Sequence, residues 1–535
     1  MNRNKQTHVF SEVPRAEIQR SSFDRSHGVK TTFDSSFLIP VFVDEALPGD
    51  TFNVRMTAMA RLATPIKPIM DNLYLDSFFF AVPYRLLWDN WEKFNGAQTD
   101  PGDSIDFEIP QVHNGATVLP VGSLYDYMGL PTGITNLEFS QLPLRAYVAI
   151  WNQWFRDQNL QDSIPELTND AVVTDLTKFP LLFRGKRHDY FTSCLPWPQK
   201  GDAVSIPLGS YADVISDLGI SGGDGIPTFQ NTINFGGLVT GVFSTPDKTV
   251  NRQLGGSTAA VNEIMKWNNP SLVADLSTAT AVTINALREA FQVQRLLERD
   301  ARGGTRYTEV IRSHFGVTSP DARMQRPEYL GGGTSYVNIS PVAQTAQTDL
   351  APDTTPQGNL AAIGTASLNG HGFSKSFTEH CVVIGLVCAR ADLTYQQGLN
   401  RMWSRSTRYD FYWPALAHLG EQAVLNKEIY AQGTSADEET FGYQERYAEY
   451  RYKPSQITGK FRSTYATTLD IWHLADKFAS LPTLNNIFIQ DSAYNTVDRV
   501  IAVPSEPHFL FDAWFNFRAA RPMPLYGVPG LIDHF

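Results

Sequence analysis

Two stretches near opposite ends of the chain alternate between apolar and polar side chains, and that period of two leaves little room for a fold not built on sheets. Phe52, Val54, Met56 and Ala58 share one side of a backbone whose other side carries Asn53, Arg55 and Thr57. Far along the chain, Phe509, Phe511, Ala513, Phe515 and Phe517 alternate with His508, Leu510, Asp512, Trp514, Asn516 and Arg518. Successive side chains of a strand point to opposite faces, so both segments are predicted as half-buried β-strands. A further strand is expected in NLYLDSFFFAV, residues 72–82. Strands near both termini predict one sheet system closed by the two ends of the chain, with the long middle inserted. The composition agrees: aromatic residues make up 12%, and 38 Gly with 32 Pro favour strands broken by turns over a helical bundle. With 42% hydrophobic residues among 535, the chain has enough apolar mass for a large core, which excludes disorder as a whole.

Helices are expected inside that frame. In LPLRAYVAIWNQWFRDQNLQ, the residues Leu144, Tyr147, Val148, Trp151, Trp154 and Phe155 fall on one face at helical spacing. In NALREAFQVQRLLERDARGG, Asn285 is a candidate N-cap and Gly303 a stop, with Leu287 and Phe291 between charged residues. Both read as helices laid against a β core. Residues 1–30 have no clear period and are weakly basic, with Arg3, Lys5, Arg15, Arg20, Arg25 and Lys30 against Glu12, Glu17 and Asp24. They read as an extended arm that orders against another surface. Residues 201–284 are glycine-rich, poor in charge and without a long period, which reads as a protruding insertion. Between Arg326 and Lys375 there is no Lys or Arg, and residues 334–372 are expected to form an irregular surface loop.

The 55 acidic residues exceed the 44 Lys and Arg, giving a net charge of −11, so the chain cannot neutralise a polyanion over its whole surface. Three cysteines are too few for a disulfide scaffold and fit assembly in a reducing cytoplasm. Cys381 and Cys388 lie an odd number of residues apart in CVVIGLVC, so a strand puts them on opposite faces and they do not share a metal. No apolar run is long enough to cross a bilayer and the amino terminus lacks a signal-type core, so no membrane insertion is expected.

The usual catalytic signatures are absent: there is no Gly-x-Ser-x-Gly elbow, phosphate loop, His-Glu-x-x-His or paired Cys-x-x-Cys. LGGGTSY, residues 330–336, lacks the second half of a dinucleotide fingerprint and reads as a tight turn. Asp100, Asp103, Asp106 and Glu108 do not match the twelve-residue calcium loop and read as an acidic solvated turn. No catalytic residue, metal or cofactor is expected. Basic and aromatic residues interleave in RGKRHDYF from Arg184, RMWSRSTRYDFYW from Arg401 and YRYKPSQITGKFR from Tyr450. Such a mixture suits a protein interface or a single strand, whose phosphates meet cations while its bases stack on rings. An aromatic-rich β-protein also admits a carbohydrate-binding or carbohydrate-cleaving reading, which for cleavage needs two facing carboxylates.

Long blocks carry a more specific signal. The stretches HGVKTTFDSSFLIPVFVDEALPGDTF, RLATPIKPIMDNLYLDSFFFAVPYRLLWDNWEKFNG, RGKRHDYFTSCLPWPQKG and RPMPLYGVPGLIDHF resemble the major capsid protein of gokushoviruses, the Microviridae branch of small single-stranded DNA bacteriophages. So do the blocks at 296–333 and 390–430. The likeness runs from about residue 25 to the last residue and weakens near 201–284 and 337–372.

The resemblance implies a mainly β, eight-stranded viral jelly-roll β-sandwich with long inserted loops and a few helices, spanning residues 31–535 as one domain behind the 1–30 arm. It implies a structural protein, not an enzyme, that self-assembles from about 60 identical subunits into a T=1 icosahedral shell around circular single-stranded DNA. The expected partners are an internal scaffolding protein, a small basic DNA-binding protein, the packaged DNA and a host surface receptor. Assembly is expected in the bacterial cytoplasm, with 201–284 rising as a protrusion at the threefold axis for host attachment. The residues expected to meet DNA are Arg401, Trp403, Arg405, Arg408, Lys460 and Arg462.

Overall fold

The computed structural model describes residues 19–204, 284–318, 325–345, 357–491 and 496–526, together with the backbone of five short strands between 213 and 275. The chain divides into two units, one of Met1–Lys200 with Glu298–Phe535 and one of Gly201–Leu297. The first is built on ten strands in two antiparallel sheets. These are β1 (Ser21–Asp24), β2 (His27–Phe33), β3 (Ile39–Ala46), β4 (Thr51–Leu62), β5 (Leu73–Pro83), β6 (Glu328–Tyr336), β7 (Asn338–Ala343), β8 (Leu360–Ser376), β9 (Cys381–Ala391) and β10 (Phe509–Arg521). One sheet has the order β1-β10-β4-β8-β7, with β2 also paired to β10; the other has the order β6-β5-β9-β3.

The alternation of apolar and polar residues along β4 and β10 sets how these sheets meet. Phe515 pairs with Met56 and Phe517 with Val54, so apolar side chains of adjacent strands line up in rows facing inward. Phe509, Phe515, Phe517, Phe52, Val54 and Met56 are completely buried. They meet the other sheet ring to ring: Phe42 lies 5.2 Å from Phe515 and 5.5 Å from Phe517, and Phe79 lies 5.4 Å from Phe373. Each such side chain contributes roughly 1.5–3 kcal/mol of burial free energy, so this inter-sheet layer is the main reservoir of stability.

The second sheet is covered on both sides. Along β9, Cys381, Val383, Val387 and Ala389 face the inter-sheet core, while Val382, Ile384, Leu386 and Cys388 face a second core. Helix α1 (Leu142–Ile150) closes that second core, burying Leu144, Tyr147 and Val148, and the Tyr147 hydroxyl donates to the Leu38 carbonyl at 2.8 Å. Burial from both sides explains why β9 reads as a continuous apolar run. It also puts the two cysteines on opposite faces, and burial pushes the Cys388 and Cys381 thiols up to about 12.

Several expectations need correction. The segment 334–372 is not an irregular loop: its described residues include the end of β6, all of β7 and most of β8, which runs the length of β4. LGGGTSY is a strand, because Gly331 and Gly333 fit where two sheets come close and Gly332 fits tightly against the neighbouring strand β5. A Cβ on Gly333 would lie 2.7 Å from the His371 ring of β8, and one on Gly332 would collide with the Ser77 carbonyl of β5. The arm boundary at residue 30 also moves, since Ser21–Asp24 and His27–Phe33 pair with β10; residues 1–18 lie outside the described residues. Helix α2 (Ile284–Arg302) begins before Asn285, and Ala301 is its one buried residue, with Leu287 and Phe291 exposed rather than laid on a core. Of the expected 201–284 protrusion, the side chains of 205–283 lie outside the described residues.

The outer face of the larger sheet is bare. Asn53, Arg55, Thr57, Met59 and Arg61 of β4 and Leu510, Asp512, Trp514, Asn516 and Arg518 of β10 are all exposed.

Candidate nucleic-acid interface

The connection from β9 to β10 carries two of the three basic-aromatic stretches. Its first half is pinned by the antiparallel strands Glu421–Leu425 and Thr440–Glu445, and a parallel pair, Thr394–Tyr395 with Ser455–Gln456, ties its second half to the end of β9. This frame separates arginines that hold the chain together from those left on the surface.

Arg401 and Arg405 belong to the first group. Arg401 donates to the Ala423 carbonyl at 2.8 Å and to Glu428 at 3.0 Å. Glu428 is buried and also accepts from the Tyr190 hydroxyl at 3.0 Å and the Leu425 amide at 3.0 Å. Burial raises its carboxyl above the ordinary range, and Arg401 opposes that shift. Arg405 lies 3.5 Å from Glu449 and stacks on Tyr450, 4.2 Å from its centroid, with Phe411 at 5.5 Å. Its side chain is 12% exposed and the Glu449 side chain 6%. These two arginines neutralise two buried acids, and such pairs fold a loop before they bind a ligand.

The other candidates stay near solvent. Trp403 is 72% exposed. Arg408 lies 4.5 Å over the Trp413 ring, whose indole N–H donates to the Arg408 carbonyl at 3.0 Å. Lys460 is exposed, 6.0 Å from the Tyr465 centroid, while Arg462 donates to the Gln396 carbonyl at 2.6 Å. The Tyr412 amide donates to the Tyr450 hydroxyl at 3.3 Å, joining the first stretch to the second. The exposed aromatic residues here are Trp403, Tyr409, Phe411, Tyr412, Trp413, Tyr450 and Tyr452, with Arg408 over Trp413 and the acid-paired Arg405 over Tyr450 and Phe411. Aromatic area with little free charge is the composition of a protein interface core.

The third stretch, from Arg184, is structural. Arg184 and Arg390 hold the buried Asp76 of β5, and Lys186 pairs with Asp476 at 2.8 Å beneath Phe488. The acidic turn likewise closes on itself: Asp103 accepts amides from Thr99 at 3.1 Å and Asp100 at 3.3 Å, and those bonds hold its carboxyl below the usual range. Among the described residues no group of three His, Cys, Asp or Glu is placed to hold a metal ion. No described helix is long and apolar enough to cross a membrane. Glu428 and Glu449, two acids of the kind a carbohydrate-cleaving reading would need, are both paired with arginine.

Comparison with known proteins identifies the chain. Residues 11–531 match the family described as "Capsid protein (F protein)". The chain is 49% identical over 530 residues to "Capsid protein VP1" of Bdellovibrio phage phiMH2K, covering 99% of this chain and 98% of the relative. It is 46% identical over 585 residues to the protein of the same name from Chlamydia phage 1, covering 98% and 97%. Against that of Spiroplasma virus 4 it is 37% identical over 558 residues, covering 99% and 98%. These relatives replace the carbohydrate-active alternative with a structural role. A β-sandwich without a metal cluster among its described residues, with an exposed aromatic surface and end-to-end likeness to three capsid proteins, thus belongs to the F-type major capsid protein family of Microviridae-like bacteriophages, as a structural virion component and not an enzyme.

Proposed function

We propose that the chain builds a T=1 shell of about 60 copies around circular single-stranded DNA, using a jelly roll as its brick. The observation that carries this reading is the pairing order of the eight long strands. Leaving aside the short β1 and β7, the two sheets run β2-β10-β4-β8 and β3-β9-β5-β6. Numbered along the chain, these are strands 1-8-3-6 and 2-7-4-5, an order that supports reading the sandwich as a viral jelly roll. Long connections leave from its ends, and the exposed aromatic surface on the β9–β10 connection suits a contact with a neighbouring copy. Each copy meets several neighbours through different patches, so modest contacts combine into a stable shell.

The net charge of −11 leaves most of the genome's charge to other molecules, which supports a small basic DNA-binding protein and an internal scaffolding protein as partners during assembly in the bacterial cytoplasm. The insertion 201–284 is our candidate for the threefold protrusion that meets the host receptor. Among the residues expected at the DNA, Lys460 stays accessible and Arg401, Arg405 and Arg462 act first as supports of the fold, while the aromatic surroundings of Trp403 and Arg408 favour a contact with a neighbouring copy over DNA. Negative-stain imaging of the protein produced with its phage partners tests the reading. Uniform small shells are expected; a monodisperse monomer under the same conditions would overturn it.

A further inference from the structure

We propose that the bare face of the larger sheet is a binding surface for single-stranded nucleic acid, with Trp514 as the stacking platform and Arg55, Arg61 and Arg518 as phosphate ligands. This deepens the reading that the shell encloses single-stranded DNA and rests on it. The register places the outward side chains of β2, β10, β4 and β8 in cross-strand rows. Arg518 stands beside Asn53, Asn516 beside Arg55, Trp514 between Gly28 and Thr57, Asp512 between Lys30 and Met59, and Leu510 beside Arg61. On β8, Asn369 continues the tryptophan row and Ser367 the next.

The chemistry of those rows selects the ligand. Four cations, Lys30, Arg55, Arg61 and Arg518, share the face with two carboxylates, Asp24 and Asp512, on a chain that is acidic overall. Lys30 is offset by Asp512 at 3.2 Å, and Asp24 lies near Arg518. Arg55 and Arg61 have no carboxylate partner among the described residues, unlike Arg184, Arg390, Arg401 and Arg405. Trp514 is 56% exposed, and Gly28 beside it has no side chain, leaving the indole clear; a Cβ there would touch it at 3.4 Å. Around it lie Thr57, Asn369 and Asn516, short polar groups suited to base edges and sugars. Cations flanking an aromatic ring on a sheet are what sequence-tolerant single-strand binding uses. Strands about 4.8 Å apart and residues about 3.4 Å apart set Arg518, Arg55 and Arg61 along roughly 25 Å of one face, enough for several nucleotides. A basic polypeptide would be repelled here, and an apolar one would find only Trp514, Met59 and Leu510 among the cations, with Ile363 and Val342 away at the β7 edge.

Hydroxyl-radical footprinting of DNA-filled and empty particles tests the assignment, together with the same measurement on the full-length protein with and without oligothymidylate, where no other protein is present. Trp514 should be oxidised several-fold more slowly in filled particles, and the double variant Arg55→Gln/Arg518→Gln should lower the ratio of filled to empty particles while leaving total shell yield unchanged. Loss of two phosphate contacts should also reduce the salt slope of oligothymidylate binding by the full-length protein by about 1.4. Trp514→Ala should weaken that binding about tenfold, with Trp514→Phe restoring most of it. Equal oxidation of Trp514 in both particles would overturn the assignment while leaving the enclosing shell intact: fast in both means the face looks outward, and slow in both means protein covers it. Shells that never contain DNA would overturn the enclosing reading itself.

Discussion

At the residue scale, charges were easiest to misread. A run such as RGKRHDYF looks like a cationic patch, yet Arg184 and Lys186 are spent on Asp76 and Asp476, acids 108 and 290 positions away in sequence. Nothing local in a sequence reveals a partner that distant. Asp76 shows the cost of the arrangement. Burial would raise its carboxyl, but hydrogen bonds from Arg390, Thr334 and Arg184 outweigh it and hold the group below the ordinary carboxylate range. A depressed native pKa means the unfolded chain binds the proton more readily, so this stabilisation is full above about pH 4 and is lost as pH falls through the native value. Replacing Asp76 by Asn would leave two arginines facing an uncharged amide and should cost about 3–5 kcal/mol. Denaturant unfolding of the unassembled subunit at pH 7 should show that loss, and the gap between wild type and variant should narrow on acidification below pH 4.

At the element scale, legibility followed side-chain contrast. Strands β4 and β10 were legible because large apolar residues alternate with polar ones, and every inward residue from Phe509 to Ala519 on β10 is buried. The 17-residue β8 follows the same alternation, with Ala362, Gly364, Ala366 and Leu368 inward and Ala361, Ile363, Thr365 and Ser367 outward or partly exposed. Most residues of its first half are small and the large apolar Ile363 faces outward, so the period carries little hydropathic contrast and the segment passes for a loop. The glycines of β6 mislead in a related way, since here they serve close approach of sheets and of a neighbouring strand and not a turn. Gly332→Ala should therefore destabilise by about 1–3 kcal/mol or more, because its Cβ would meet the rigid Ser77 backbone. Gly358→Ala in the β7–β8 connection meets nothing within 4 Å but has φ +85, so it should cost less, about 1 kcal/mol from backbone strain alone. Thermal melts of the two variants side by side check the order. The outward half of β10 was visible as polar alternation, but its meaning came only with the register that sets Trp514 among Arg55, Thr57 and Gly28.

At the scale of the whole molecule, the first and last described strands are neighbours in one sheet, where β1 and β2 pair with β10 and β10 with the other alternating strand, β4. The order of the eight long strands could not be read, because pairing partners such as β2 and β10 are separated by most of the chain. The insertion belongs to this scale too. Deleting residues 222–256 should leave shells that form in normal yield but adsorb to cells poorly, as measured by particle counts and cell-binding assays together; loss of the shells would make the segment an assembly element. The central claim, that this protein works by tiling copies of a two-sheet brick, is tested most directly by an icosahedral reconstruction of the particle with its genome inside. The account expects about 60 copies in T=1 symmetry, aromatic residues 403–413 against a neighbouring copy, and the Trp514 face turned toward nucleic-acid density. A reconstruction in which the sandwich makes no contact with identical copies would contradict it.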